Sequence, residues 1–201
     1  MRPPPTVKAI GIEEARSVVD AGGAFVDLRD VESYLDVHIP GSLALLYESG
    51  PGMAGRARDC LPLEIPLVLL DLGVGDMPHA AASLRGKGFD VVGKLDDGIN
   101  AWARHGGTPA STETVRSPDG GVILDIGDPG TARHDAALRI PIETLWHRVD
   151  EVRDATRVVV MAGYGVRAAL AVGILERAGI DVVFWKTVAQ ARPSPLPSPS
   201  R

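Results

Sequence analysis

Apolar residues at Ile12, Ala15, Val18 and Val19 recur at helical spacing, and Gly22-Gly23 stops the run, so a helix is predicted over residues 12–21. The next stretch, Ala24-Phe25-Val26-Asp27-Leu28, is apolar but for one aspartate and reads as a buried strand. A short helix is expected over 31–37 and a second strand over 42–46. Residues 49–66 are rich in Gly and Pro and are expected to be irregular. Leu67-Val68-Leu69-Leu70 is strongly apolar and too short for a helix, so it is read as a third strand. Helical residues follow over 79–87, a fourth strand opens at Val91-Val92, and a closing helix covers 99–104. Strands without polar alternation, separated by helices, predict a parallel sheet covered on both faces.

The pattern then recurs. Val122-Ile123-Leu124-Asp125-Ile126 repeats the first strand, and Val158-Val159-Val160-Met161 repeats the run at 67–70. Gly86-Lys87-Gly88-Phe89-Asp90-Val91-Val92 aligns with Arg177-Ala178-Gly179-Ile180-Asp181-Val182-Val183. These last two matches share one offset of 91 positions, whereas the first strands stand 98 apart. The second copy has therefore lost residues between its first strand and its apolar strand. The expected organisation is a first domain over 1–108, a Gly-, Ser- and Thr-rich linker over 109–120, a second domain over 121–190, and a disordered Pro/Ser tail over 191–201.

Composition narrows the function classes. The chain has 201 residues, 45% of them apolar, which suffices for a buried core. A net charge of −5 leaves no basic stripe for nucleic acid. No apolar run reaches membrane-spanning length, and Met1-Arg2-Pro3-Pro4-Pro5 lacks the apolar stretch of a secretion signal, so a cytoplasmic protein is expected. Cys60 is the only cysteine, which excludes an intrachain disulfide and a cysteine-rich zinc site. The five histidines, at 38, 79, 105, 134 and 147, form no closely spaced ligand pair. No metal and no cofactor are expected.

Val26-Asp27-Leu28-Arg29, then Tyr34, then His38-Ile39-Pro40-Gly41-Ser42 resembles the opening of a rhodanese domain. Gly88-Phe89-Asp90-Val91 followed by Gly98-Ile99-Asn100-Ala101-Trp102 resembles its close. The resemblance covers about residues 8–108 well, and 118–190 more weakly, chiefly through the repeat. It implies an α/β fold of two rhodanese-like domains, each a central parallel sheet flanked by helices. It also implies an active-site loop between the third main strand and the next helix. A loop curling into a helix N-terminus aims several N–H groups at one point, and the helix dipole adds positive potential. In the family this cradle holds a cysteine as a reactive thiolate, which carries sulfane sulfur as a persulfide.

Neither loop keeps that cysteine. Counting back from Gly88, its position in copy one is Asp71, in the loop Asp71-Leu72-Gly73-Val74-Gly75-Asp76. Counting back from Gly179, its position in copy two is Ala162, in Ala162-Gly163-Tyr164-Gly165-Val166-Arg167. Aspartate cannot form a persulfide, and alanine has no nucleophile. Cys60, beside Asp59 and near Arg56 and Arg58, falls outside both loops and is expected to be an inert or merely exposed thiol. No catalytic residue is therefore assigned.

Other readings of these residues are weaker. Gly163-x-Gly165-x-x-Ala168 fits a dinucleotide-binding pattern, but Asp181 precedes its strand where a ribose-binding acid should follow one. Asp71 with Asp76 could form a cation site, and is better read as two solvated loop acids. Asp27 and Arg29 look structural by the resemblance. The expected function is a non-catalytic binding or regulatory module, a pseudoenzyme whose copy-two loop cradles an anion. The candidate anion-binding residues are Gly163, Tyr164, Gly165, Val166, Arg167 and Ala168. The expected partners are a small oxyanion, a sulfur compound or another protein, with no nucleic acid and no membrane. The alternative is a thiosulfate or mercaptopyruvate sulfurtransferase, if Ala162 stands in place of a natural cysteine or Cys60 substitutes.

Overall fold

The structure is a computed structural model that describes residues 6–47, 52–73, 76–127, 134–163 and 165–187. Its first half runs β1 (Ala9–Ile10), α1 (Ile12–Asp20), β2 (Ala24–Asp27), α2 (Val31–Asp36), β3 (Leu43–Ala44), α3 (Gly52–Cys60), β4 (Leu67–Leu70), α4 (Met77–Gly86), β5 (Val91–Leu95) and α5 (Gly98–Arg104). The second half runs β6 (Thr114–Val115), β7 (Val122–Asp125), β8 (Leu138–Arg139), α6 (Ile142–Arg148) with a 3-10 turn at Val149–Val152, β9 (Val158–Ala162), α7 (Val166–Arg177) and β10 (Val182–Lys186). Each half forms a parallel five-stranded sheet, ordered β1-β5-β4-β2-β3 and β6-β10-β9-β7-β8. Strand for strand, the two orders are the same.

The repeat extends to single hydrogen bonds. Leu67 N–H donates to the Asp90 carbonyl and Val158 N–H to that of Asp181, each at 2.8 Å. Phe89 N–H reaches the Leu84 carbonyl and Ile180 N–H that of Leu175, each at 3.2 Å, closing α4 and α7 with the same turn. Both pairs keep the offset of 91, so Asp71 and Ala162 stand at equivalent ends of their sheets' central strands.

Three features depart from the sequence reading. Residues 52–60, expected to be irregular, form α3, which buries Met53, Ala54, Ala57 and Cys60 along one face. Its two glycines lower helix propensity, and tertiary packing overrides that. Thr114–Val115, inside the stretch expected as a linker, is the edge strand of the second sheet, pairing with β10. The first sheet has helices on both faces, with α1 and α5 packed over Phe25, Val68 and Leu70. Among the described residues the second sheet has helices on one face only, because copy two has no counterpart of α1 or α5. The tail expected at 191–201 lies outside the described residues. No helix among those residues is long and apolar enough to cross a membrane.

One apolar core joins the copies. Val26, Leu43, Ala54 and Ala57 share it with Ile142, Leu145, Ala168, Leu170 and Val172. α7 is its axis: Ala168 through Leu175 are all buried, as suits a helix enclosed on every side. It passes so close to copy one that a Cβ on Gly173 would lie 2.1 Å from the Ser42 carbonyl oxygen. At its last turn Glu176 reaches His38, which is fully buried. His38 Nδ1 faces the Tyr34 carbonyl at 2.8 Å, and Nε2 faces both carboxylate oxygens of Glu176 at 3.0 Å. Glu176 also accepts the Gly41 N–H at 2.8 Å.

Gly173→Ala is expected to destabilise the protein by about 1–3 kcal/mol, the usual cost of overpacking. In an exposed helix interior the same change stabilises by about 1 kcal/mol, so the sign is diagnostic. Urea unfolding midpoints check it, and a raised midpoint would mean that α7 stands farther from copy one.

Candidate functional site

The loop after β4 is closed by its own charges. The Asp71 carboxylate accepts from Lys94 Nζ at 2.6 Å and from the Gly73 N–H at 3.2 Å. The hydrogen bond from Lys94 holds the Asp71 carboxyl below the usual carboxylate range. Lys94 is shared with Asp96, at 2.7 Å. Asp76 accepts the His79 N–H and so caps α4, placing a carboxylate at the helix N-terminus where an anion would otherwise be attracted. The two acids thus have separate local duties, and no cluster of three or more metal-ligating side chains occurs among the described residues. Val74 and Gly75 lie outside those residues.

The loop after β9 is different. Ala162 is fully buried, and its carbonyl accepts the Thr187 N–H at 2.8 Å. Gly165 takes a left-handed conformation (φ 89°) as the N-cap of α7 and provides no side-chain cap. Asp76 gives α4 a capping carboxylate, whereas the N-cap of α7 is a glycine. Val31 of copy one leans over this turn, its Cγ1 3.0 Å from where a Gly165 Cβ would sit. Gly163, Gly165 and Ala168 are buried, Val166 and Arg167 half-buried, and Tyr164 lies outside the described residues.

Arg167 stands in the first turn of α7, as the sequence implied, and donates through Nη2 to Glu143 of α6 at 2.5 Å. Glu143 is the residue that sequence reasoning missed. It lies 24 positions away on a different helix, so no periodic signal joined the two. Asp181, weighed as a ribose contact, precedes β10 and sits 3.6 Å from Arg157. Asp27 is fully buried and accepts from Arg29 through both oxygens; its counterpart Asp125 accepts the Gly127 N–H at 2.8 Å. Asp27 orders the chain leaving β2, as the resemblance implied, and Asp125 likewise holds the N–H two residues beyond it.

Cys60 ends α3 and is 3% exposed, so it is buried and not the exposed thiol weighed from sequence. Burial first, and then the negative charge of Glu143, push its thiol up to about 11, against the opposing pull of Arg167. Although outside both loops in sequence, Cys60 thus lies within electrostatic reach of the copy-two ion pair.

A parallel sheet whose central strand runs into a glycine-bearing loop and a helix N-terminus, present twice in one chain, defines a tandem protein of the rhodanese type. Residues 12–105 match the rhodanese-like domain family. The chain is 33% identical over 95 residues to a thiosulfate sulfurtransferase GlpE of Pseudomonas savastanoi pv. phaseolicola, covering 47% of this chain and 86% of that protein. It is 36% identical over 98 residues to the GlpE of Stutzerimonas stutzeri, covering 49% and 85%. The crystal structure of the Alr3790 protein from Anabaena sp. is similar at 27% identity, covering 49% of this chain and 79% of that one with a TM-score of 0.42. The chain belongs to the rhodanese-like domain family.

A thiol at about 11 is almost wholly protonated at neutral pH, so iodoacetamide is expected to label Cys60 only after unfolding. Because the folded value lies above the unfolded one of about 8.5, folding stability falls as pH rises from that value toward 11. Urea unfolding at pH 8 and pH 10.5 in wild type and Cys60→Ala is the check. The loss should be smaller in Cys60→Ala; equal losses would mean that the thiol titrates alike in both states.

Proposed function

We propose that this protein is a catalytically silent tandem rhodanese whose copy-two loop binds a small oxyanion or sulfur oxyanion, with Glu143 as an internal competitor. The observation that carries this reading is chemical: neither loop offers sulfur, and the one thiol is buried and protonated. With no thiolate there is nothing to accept a sulfane sulfur, whereas the first turn of α7, with glycine at its N-cap and Arg167 within it, is an arrangement suited to an anion. Glu143 now shares the charge of Arg167, so ligand and carboxylate compete for one guanidinium. The site residues are Gly163, Tyr164, Gly165, Val166, Arg167 and Ala168, as the sequence implied.

The similarity to thiosulfate sulfurtransferases favours a second reading, transfer through Cys60. One set of measurements separates the two. No sulfur transfer from thiosulfate or mercaptopyruvate to cyanide is expected above background. In calorimetric titration with thiosulfate, Arg167→Ala should weaken binding about tenfold to a hundredfold, since a charge-assisted hydrogen bond is worth about 1.5–3 kcal/mol. Glu143→Gln should strengthen it by about threefold to tenfold, by releasing the arginine from a full negative charge. Equal affinity in all three proteins would overturn the anion site. Turnover that disappears in Cys60→Ser would replace this reading with the sulfurtransferase.

A further inference from the structure

The opposite end of α7, about 18 Å away along its 12 residues, carries a different arrangement. A cavity of about 250 Å³ opens there, lined by Trp146 of α6, Val149 and Arg153 at the 3-10 turn, and Ile174, Arg177 and Ala178 of α7. Arg177 is half-buried, its guanidinium carbon 5.4 Å from the centre of the Trp146 ring. Its one hydrogen bond is to the Gly22 carbonyl of copy one, at 3.2 Å, and no carboxylate lies within ion-pair distance among the described residues. Burial therefore lowers its pKa without compensation. Arg29, Arg104, Arg148, Arg157 and Arg167 each have a carboxylate partner.

The chemistry of the lining identifies the missing partner. Among the described residues the only charged side chains facing this cavity are cationic, Arg153 and Arg177, and the rest of its wall is apolar with an indole face. By contrast, the cavity beside Arg16 and Trp102 has a carboxylate, Asp20, in its own lining. Arg153 is bound to Asp150 at 2.6 Å, but both are well exposed, and such pairs contribute little. Arg153 can therefore turn toward a ligand. The volume lies below the ~300 Å³ at which pockets for drug-sized molecules begin, so the occupant is small.

We propose that this cavity is a second binding site, for a small carboxylate with a flat apolar body, its carboxylate held by Arg177 with help from Arg153 and its body laid against Trp146. The site is independent of the copy-two loop and does not rest on the anion reading above. Arg177 also donates to copy one, so a bound carboxylate would sit where the two copies meet.

Benzoate is the probe, followed by the Trp146 indole N–H resonance in the intact chain. Saturable shifts are expected with a Kd of about a millimolar, the affinity of a small fragment. Benzamidine, of the same shape with a cationic head, should give no saturable shift. Arg177→Met should weaken benzoate at least tenfold, and Arg177→Lys, which keeps the charge but loses the planar fork, about threefold or more. Arg153→Gln, at an exposed position, should weaken it severalfold and leave the thermal unfolding midpoint unchanged. Arg167→Ala should leave benzoate affinity unaltered, and thiosulfate should not displace benzoate. No saturable benzoate shift in wild type, equal binding of benzamidine, or undiminished affinity in both Arg153→Gln and Arg177→Lys would overturn the proposal.

Discussion

The Ser42 carbonyl of copy one occupies the space where residue 173 of copy two would carry a side chain, and that close approach organises the molecule. With glycine there, α7 can lie against β3 while its other sides face β9, β10 and α6, so eight consecutive residues of one helix are buried. Such a helix cannot be amphipathic, and Ala168-Ala169-Leu170-Ala171-Val172 is not. The His38–Glu176 contact depends on the same docking, because Glu176 projects from the turn after Gly173 and meets His38 at the entrance to β3. Both charges in α7's last turn face copy one: Glu176 toward His38 and Gly41, Arg177 toward Gly22.

The loops diverged in different ways from one arrangement. In copy one a carboxylate took the position of the nucleophile, and a second carboxylate capped the following helix, where an anion would otherwise be attracted. In copy two the equivalent position is the buried Ala162, the helix starts on Gly165, and Arg167 pairs with a carboxylate on a neighbouring helix. In each copy a basic side chain near the loop is paired with one of the chain's own acids. In both copies the pair spans two elements, Asp71 after β4 with Lys94 of β5, and Arg167 of α7 with Glu143 of α6.

Much of this was legible in the sequence, for identifiable reasons. The strands at 24–27, 67–70 and 158–162 are fully buried inner strands, so they read as apolar runs interrupted only by Asp27, and the offset of 91 tied the central strand of each sheet to the helix and turn after it. Asp71 and Ala162 could therefore be placed before any coordinates. α3 was hidden because Gly52 and Gly55 dilute its pattern, although Met53, Ala54, Ala57 and Cys60 carry helical spacing once the glycines are set aside. The short strands β6 and β8 have two residues each, too few for a period. His38 and Glu176 acquired their contact from the packing of one copy on the other, and Glu143 its contact from the packing of α6 on α7; linear sequence holds no record of either. The lack of described helices over the outer face of the second sheet, where Val159, Met161 and Val183 are nevertheless buried, was legible only as missing length.

The contact between His38 and Glu176 joins residues 138 positions apart. During synthesis, copy one leaves the ribosome with the α2–β3 surface finished in sequence but lacking the helix that covers it. That apolar surface, together with a buried histidine and a tyrosine meant for enclosure, stays open to water until nearly all of copy two has been made. Contacts of such long sequence separation form late and slowly, and exposed apolar surface in the interval favours aggregation. The shared helix that makes the finished molecule one body therefore makes its first half dependent, while nascent, on whatever in the cell shields unfinished chains.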